Sequence, residues 1–316
     1  MNIKKLIGNT PIIKITIEYK NRIQYIYTKL EYYNYTGSIK DRIANYIINK
    51  SYENKTLKEG MPIIEATSGN TGISFAALGS LYNHPVHIFM PDWASIERKR
   101  IMELYGAKVY LVSKEEGGFK EAIKRADNLA KKLDGFRPNQ FSNLLNTEAH
   151  YKTTGFEILE KVPKIDAFVS GIGTGGTLIG IATRLKEKFS DIKIVALEPE
   201  NMTFLSENKK IGNHKIEGIG DDFIPDLVDR NMIDKIITIS DGEAINMTKR
   251  LAKELGLGVG ISSGANFLAS ILTGYENVVT VFADDNKKYL TTDLIINQNK
   301  KELISDKIKF IDIEVI

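Results

Sequence analysis

The chain has 316 residues, of which 42% are hydrophobic and 26% charged, as expected for a globular protein of one large or two medium domains. Its 43 basic and 40 acidic residues leave a net charge of +3 without any block of like charge, so we expect no nucleic-acid partner. The chain has no cysteine, so we expect neither disulfides nor thiolate catalysis, and with only four histidines we expect no metal site. No apolar run approaches the ~20 residues that cross a membrane, so we expect a cytoplasmic protein without membrane spans.

Short apolar strands alternate with helical stretches along most of the chain. In the first half, strands are predicted at 63–66, 86–90 and 108–112, and helices at 73–82, 94–105 and 119–133. In the second half, strands are predicted at 167–170, 192–197 and 278–282, and helices at 178–189 and 243–255. Such alternation favours an α/β fold with parallel sheets that are covered by helices on both faces.

The two series are separated near residues 140–150, which predicts two α/β domains with a ligand-binding cleft between them. We place the N-terminal domain at residues 1–145 and the C-terminal domain at 146–316, and the first ~35 residues could instead pack on the C-terminal domain. The tail from about Asn297 breaks the pattern. It is expected either to add an edge strand at 310–316 or to form a dimer contact, and both remain open.

A glycine-rich motif, Gly171-Ile-Gly-Thr-Gly-Gly176, follows a predicted strand and opens a predicted helix. It matches the dinucleotide-binding pattern G-x-G-x-x-G, and Glu198 ends the next strand, as in that pattern. However, the motif lies in mid-chain, and Pro199 follows Glu198 directly. A dinucleotide site and a simpler phosphate site share a set of backbone N–H groups at a helix N-terminus, so we predict phosphate binding.

Three further motifs place polar groups at predicted helix starts. Residues 67–72 (TSGNTG) offer donors suited to a carboxylate, although Ser, Thr and Asn are also ordinary helix caps. Lys40, within 36–42 (TGSIKDR), falls in the first turn of a helix, where the macrodipole disfavours a cation and lowers its pKa. A Schiff-base lysine needs such a pKa, but a lone lysine can equally be a solvated surface residue. Residues 260–265 (GISSGA), considered by themselves, indicate only a helix cap.

Together and in this order, the motifs resemble those of the fold-type II pyridoxal-phosphate enzymes, in particular the cysteine synthase and cystathionine β-synthase family. The resemblance covers roughly residues 6–295. Its other blocks are 6–11 (LIGNTP), 29–31 (KLE), 90–98 (MPDWASIER), 140–143 (QFSN), 152–155 (KTTG) and 218–225 (GIGDDFIP). It implies two domains, each with a twisted, mostly parallel sheet flanked by helices, an active site in the cleft between them, pyridoxal 5′-phosphate as the cofactor, and a homodimer.

The resemblance also implies roles for individual residues. Lys40 is expected to hold the cofactor as an internal aldimine and later to remove the substrate's α-proton, and Asn70 to hydrogen-bond the cofactor's ring oxygen. Ser262, or less favourably Ser263, is expected to meet the pyridine nitrogen. The substrate α-carboxylate is expected to bind Thr67, Ser68, Thr71 and Gln140, and the cofactor phosphate to bind Gly173, Thr174, Gly175, Gly176 and Thr177.

A hydroxyl at the pyridine nitrogen has a chemical consequence. Because it cannot hold the nitrogen protonated as a carboxylate would, the ring is a weaker electron sink, and β-elimination is favoured over transamination. The expected path removes the α-proton and the β-substituent to give an aminoacrylate, and a nucleophile then adds at Cβ.

Asp221-Asp222 departs from the family pattern. Cysteine synthases usually have small residues there, and cystathionine synthases an aromatic residue followed by Asp, so Asp222 matches the latter and Asp221 matches neither. If Asp221 enters the cleft, it would repel sulfide, accept a proton from a thiol or water, or pair with the ammonium of a second amino acid. If Asp221 does not enter the cleft, the two aspartates are an exposed pair on a surface loop. Residues 283–287 (ADDNK) also replace a small, serine-rich stretch.

Three hypotheses follow. The favoured one is β-replacement on L-cysteine with release of hydrogen sulfide and addition of water or a second thiol, with Asp221 as a catalytic and substrate-binding residue. The alternative is a cysteine synthase that makes L-cysteine from O-acetylserine and sulfide. A third hypothesis, a degraded family member that serves as a binding scaffold, is disfavoured by the intact Lys40, Asn70 and phosphate motifs.

Overall fold

A computed structural model of the protein describes residues 3–295 and 303–316. The chain begins with a β-hairpin formed by β1 (Ile12–Tyr19) and β2 (Arg22–Leu30), which follows a 3₁₀ turn at Lys4–Leu6 and precedes another at Glu31–Tyr33. The turn residues Lys20 and Asn21 have φ angles of 52° and 59°, and a two-residue type I′ turn requires positive φ at both positions. The patterns described above did not predict this hairpin.

The first half of the chain continues with alternating helices and strands. These are α1 (Lys40–Glu53), β3 (Ile63–Ala66), α2 (Asn70–Leu81), β4 (Val86–Pro91), α3 (Ile96–Leu104), β5 (Lys108–Val112) and α4 (Gly118–Leu133). The strands β3, β4 and β5 form a parallel sheet. Apolar residues of α1 and α2, such as Ile43, Ile47 and Phe75, pack in one cluster with β3 and β4, while Ala122 and Ala126 of α4 pack in another.

The second half begins with α5 (Leu144–Ala149), a π-helical turn (His150–Thr154) and α6 (Gly155–Lys161). It continues with β6 (Ala167–Gly171), α7 (Gly176–Lys186), β7 (Lys193–Pro199), β8 (Met202–Thr203), α8 (Phe204–Glu207), β9 (Lys209–Lys210), β10 (Lys235–Ile239), α9 (Asp241–Leu255), α10 (Ile261–Leu272) and β11 (Asn277–Phe282). Short 3₁₀ turns lie at Arg230–Met232, Asn286–Tyr289 and Ile304–Lys307, and the described chain closes with β12 (Lys309–Val315).

Within the described ranges, the larger sheet has seven strands in the order β10-β7-β6-β11-β2-β1-β12. Strands β10, β7, β6, β11 and β2 run parallel, whereas β1 and β12 are antiparallel to their neighbours. Helices α9 and α10 cover one face, and α7 covers the other through the buried side chains of Leu178, Ile181 and Leu185. The predicted α/β fold with mostly parallel, helix-covered sheets is confirmed.

Most predicted helices and strands are present, and their first and last residues differ from the predicted ones by a few positions. Of the two alternatives for the tail, the structure has the edge strand, because β12 pairs with β1 from Ile13–Val315 onward, and a dimer contact stays a prediction. Residues 296–302 lie outside the described ranges. Residues 12–30 belong to the larger sheet, and the division at residue 145 stays a prediction. Within the part of the chain that is described, no helix is long and apolar enough to cross a membrane.

Candidate active site

One large cleft, with a cavity volume of about 980 Å³, gathers nearly all of the residues selected from the sequence. Its walls come from strands of the larger sheet and from the segments that follow each strand of the smaller sheet. The predicted residues that line it are Lys40, Thr67, Ser68, Asn70, Thr71, Gln140, Gly173, Thr174, Gly175, Thr177, Asp221 and Ser262. Gly176 opens α7 behind the wall, where an added Cβ would lie 2.0 Å from Asn146 Oδ1.

The 67–72 loop joins β3 to the N-terminus of α2 and is held in shape by its own side chains. The backbone N–H of Gly69 donates to Thr67 Oγ1 at 3.1 Å. Thr71 Oγ1 donates to Gln140 Oε1 at 2.6 Å, and Gln140 Nε2 donates to the carbonyl of Ala66 at 3.0 Å. Gln140 therefore fixes the loop while it lines the cleft, and the loop presents a helix N-terminus that suits a carboxylate.

The glycine motif is packed against other backbone and ends at a helix N-terminus, which suits a phosphate. Gly173 has no room for a side chain, because an added Cβ would lie 2.4 Å from the carbonyl oxygen of Gly218. Gly175 has a φ angle of +84°, which favours glycine. Thr177 Oγ1 lies 3.2 Å from Nε2 of the buried His150. Burial, followed by the nearby cation of Lys40, holds the pKa of His150 well below its usual value, so this ring is neutral.

Lys40 is the first residue of α1, as predicted, and it lines the cleft. Its pKa is lowered, also as predicted, and burial is the main cause of the shift. Asp284 and Asp221 oppose the shift, because their negative charges favour the ammonium form. Since the backbone N–H of Ile39 donates to the carbonyl of Ala283 at 2.8 Å, the start of α1 is tied to the segment that follows β11.

A buried ion cluster lies behind the first turn of α1. Arg42 donates to both carboxylate oxygens of Glu31, at 2.5 and 2.8 Å, and to both of Glu157, each at 2.7 Å. Lys29 Nζ also pairs with Glu157 at 2.7 Å. Burial alone would raise the pKa of Glu31, but the adjacent Arg42 lowers it overall, so the carboxylate stays ionised. The cluster joins β2, α1 and α6 at the base of the helix that carries Lys40.

The cleft fits the expected cofactor. Asn70 lines it, and the Oδ1 atom of Asn70 is buried without a protein partner within the described ranges, as an atom that contacts a bound group would be. Ser262 also lines the cleft, whereas Ser263 Oγ accepts a hydrogen bond from the backbone N–H of Ala283 at 3.1 Å. Ser262 is therefore the serine available to a ligand, with Lys40 in the same cavity.

Asp221 and Asp222 both line the cleft, but they differ in their partners. Asp222 pairs with Lys210 at 3.3 Å. Asp221 lies in the cleft wall, on a loop that is tied down by a hydrogen bond from the Gly220 N–H to the carbonyl of Ile172, 2.8 Å long. Burial raises the pKa of Asp221 to about 6, the like charge of Asp222 adds to the shift, and Lys40 opposes it. The carboxylate thus faces the same space as Lys40, and it is ionised at neutral pH.

Sequence reasoning missed several residues that hold the site together. Asn146 Nδ2 donates to the carbonyl of Gln140 at 2.8 Å and to Thr174 Oγ1 at 3.0 Å, and so joins the 67–72 region to the glycine motif. Arg98 is buried against the cleft, forms an ion pair with Glu217, and lies beneath Gly69. Asp284 accepts a hydrogen bond from Asn70. Two of them had a signal in the sequence: Arg98 lies in a block that resembles the family, and Asp284 lies in the 283–287 segment that departs from the family pattern.

Comparisons with known proteins agree with this geometry. A family model described as "Pyridoxal-phosphate dependent enzyme" matches residues 3–284. A cysteine synthase of Staphylococcus aureus is 40% identical over 300 residues, which cover 93% of this chain and 96% of the relative. A hydrogen sulfide-producing enzyme from Fusobacterium nucleatum has a crystal structure that matches with a TM-score of 0.95 at 48% identity, over 99% of this chain and 97% of that chain.

A second structure of the F. nucleatum enzyme, an Asp-to-Asn mutant in complex with an α-aminoacrylate intermediate, matches with a TM-score of 0.96 at 48% identity, over 99% of this chain and 98% of that chain. The dinucleotide interpretation of the glycine motif and the scaffold hypothesis are therefore wrong, whereas the homodimer and the cytoplasmic location stay predictions. This chain belongs to the pyridoxal-phosphate dependent enzymes and, among them, to the cysteine synthase family, which performs β-replacement on amino acids.

Proposed function

We propose that the enzyme takes L-cysteine as its substrate, releases hydrogen sulfide, and adds water to give L-serine or a second thiol to give lanthionine or cystathionine. The observation that carries this proposal is the carboxylate of Asp221 in the cleft wall. Because its pKa is raised to about 6, chiefly by burial, it is a competent base near neutral pH. The F. nucleatum enzyme described above is named for the production of hydrogen sulfide, which supports the choice of product.

Bound pyridoxal phosphate supplies the electron sink that permits loss of the β-substituent. The residues of this chain hold the substrate and move its protons. In this proposal the 67–72 loop holds the α-carboxylate, and Lys40, with its pKa lowered by burial, takes the α-proton. Asn70, Ser262, Thr177 and residues 173–176 hold the cofactor. Asp221 accepts the proton of the water or thiol that attacks Cβ.

The proposed reaction balances without an oxidant or reductant. With water, L-cysteine and H₂O give L-serine and H₂S: the C–S bond at Cβ breaks, a C–O bond forms in its place, and the α-proton returns to Cα. With a thiol, a new C–S bond forms instead, and the proton of the thiol leaves through Asp221.

A second candidate is synthesis of L-cysteine from O-acetylserine and sulfide. The observation that favours it is the 40% identity to the S. aureus cysteine synthase over most of both chains. The charge of Asp221 weighs against it, because an ionised carboxylate in the cleft repels the hydrosulfide anion that this reaction must bind.

The two candidates differ in the products formed from L-cysteine alone. We expect the enzyme to form sulfide in an amount equal to the L-serine and lanthionine together, because a second L-cysteine can add in place of water, and in heavy-oxygen water the hydroxyl of the serine should carry the label. Addition of a second thiol amino acid should divert the product to a thioether. Lys40→Ala is the control for the uncatalysed reaction. If L-cysteine is left unchanged while O-acetylserine and sulfide are converted rapidly to L-cysteine, the enzyme is a cysteine synthase.

A further inference from the structure

Asp284 is a buried carboxylate directly behind the cleft. It follows β11, is only 1% exposed, and does not line the cavity. Its Oδ2 atom accepts hydrogen bonds from Asn70 Nδ2 at 2.8 Å and from the Tyr289 hydroxyl at 2.7 Å. Asn70 does line the cavity, so Asp284 is one hydrogen bond away from any ligand that Asn70 contacts.

The position of Asp284 is fixed from several sides. The backbone N–H of Gly260 donates to the carbonyl of Asp284 at 3.0 Å, and a Cβ at Gly260 would lie 2.0 Å from Asp284 Oδ1. Arg98 Nη2 lies 4.0 Å from Asp284 Oδ2, and the Arg98 guanidinium stacks over the Tyr289 ring at 4.7 Å. A nearby cation thus compensates for burial of the carboxylate, which has no space in which to swing away.

A carboxylate at this position determines how the amide of Asn70 is oriented. An ionised carboxylate only accepts hydrogen bonds, so it holds the NH₂ group of Asn70 and excludes the flipped amide. The other end of the amide, Oδ1, is buried and has no partner within the described ranges. A neutral serine or asparagine at 284 can donate as well as accept, and would allow both orientations.

We infer that Asp284 is a positioning residue, which acts through Asn70 to fix the hydrogen-bonding groups that Asn70 presents to the cofactor. The inference rests on the proposed contact between Asn70 and the cofactor, and it extends that proposal to a residue that touches neither cofactor nor substrate. It also gives a role to Asp284 within the 283–287 segment, which departs from the serine-rich pattern of the family.

Cofactor binding offers a test that does not depend on turnover. Trp93 is the single tryptophan of the chain and lines the cleft, so quenching of its fluorescence reports binding of pyridoxal phosphate to the apoprotein. The visible absorption maximum of the bound cofactor is the second readout. The variants are Asp284→Asn, Asn70→Ala and the double mutant, and Asp285→Asn is the matched control. Asp285 caps a 3₁₀ turn, and Asn caps equally well.

We expect Asp284→Asn to weaken cofactor binding about tenfold, which corresponds to about 1.4 kcal/mol and to the loss of one charge-assisted hydrogen bond. Its absorption maximum should move in the same direction as that of Asn70→Ala. In the Asn70→Ala background, the effect of Asp284→Asn on binding should be several-fold smaller, because the residue through which it mainly acts is gone and only the effect of its charge on Lys40 is left. Asp285→Asn should bind as the wild type does.

Each other result overturns a different step. If Asn70→Ala binds the cofactor normally with an unchanged spectrum, Asn70 is no cofactor contact, and both proposals fall. If Asn70→Ala weakens binding but Asp284→Asn does not, the role of Asn70 stands and that of Asp284 is refuted. Equal losses from Asp284→Asn in both backgrounds would show a general structural effect. The unfolding temperature of each apoprotein checks folding, and Asp284→Ser replaces Asp284→Asn if the latter does not fold.

Discussion

Substitution of Asp221 by Asn separates the release of sulfide from the completion of the reaction. Asn is nearly isosteric with Asp, so the packing of the loop should survive while the ability to accept a proton is lost. Sulfide release depends on Lys40 and should continue, whereas water needs a base before it adds to Cβ. Loss of one positioned base costs ~10²–10⁴-fold in rate, so the variant should release about one sulfide per active site and then turn over slowly.

The pKa of Asp221 sets the expected pH dependence. With a pKa of about 6, raised mainly by burial, the wild-type carboxylate is almost fully ionised at neutral pH. At pH 5 only about a tenth of it is ionised, so serine formation should be roughly tenfold slower than at pH 7.5, with an inflection near the pKa. This inflection should be absent from Asp221→Asn. Asp222→Asn should move it to lower pH, because it removes a like charge that raises the pKa of Asp221.

The assay is rapid-quench sulfide detection with L-cysteine as the only amino acid, followed by steady-state serine analysis over the pH range. A burst of sulfide in Asp221→Asn, absent from the wild type, is the expected result. If Asp221→Asn releases sulfide at the wild-type rate without a burst, or keeps the wild-type pH profile, Asp221 is not the base. Cysteine synthesis then becomes the better proposal.

Three other substitutions test the site and its support. Lys40→Ala should abolish the visible absorbance of the covalently held cofactor, and an unchanged spectrum would refute the assignment. Ser262→Asp should keep the pyridine nitrogen protonated, slow elimination and permit transamination, and wild-type rates and spectra would exclude Ser262 as its partner. Arg42→Met should lower the free energy of unfolding by about 3–5 kcal/mol in urea titrations, since it leaves the buried Glu31 short of its main partner; a loss below about 1 kcal/mol would contradict this. Because Arg42 holds the pKa of Glu31 below its ordinary 4.5 despite burial, this stabilisation should be complete above that pH and disappear as the pH falls through the lower folded-state value.

Local patterns in the sequence were sufficient to predict many of the helices and strands and the chemical groups of the site. The helical repeat of Leu178, Ile181 and Leu185 predicted a buried face because side-chain spacing follows directly from helix geometry. Glycine-rich and hydroxyl-rich turns at helix starts likewise predicted anion sites, since the donors belong to the turn itself. The β1–β2 hairpin was missed although Ile13, Ile15 and Ile17 alternate with polar residues, because Lys20-Asn21 is not one of the usual glycine-containing turns.

The contacts in the site between residues that lie far apart in the sequence could be read only from the tertiary structure. Ser262 and Ser263 are neighbours in one motif, and only the packing of α10 against the segment after β11 directs Ser263 to the backbone of Ala283 and leaves Ser262 in the cleft. The hydrogen bond between Asn70 and Asp284 joins residues 214 positions apart. Such contacts follow from the order of strands in the two sheets, and local spacing carries no information about that order. For the same reason, the sequence alone left open whether Asp221 was a surface residue or faced Lys40, because that is a property of how the 218–225 loop is laid across the cleft.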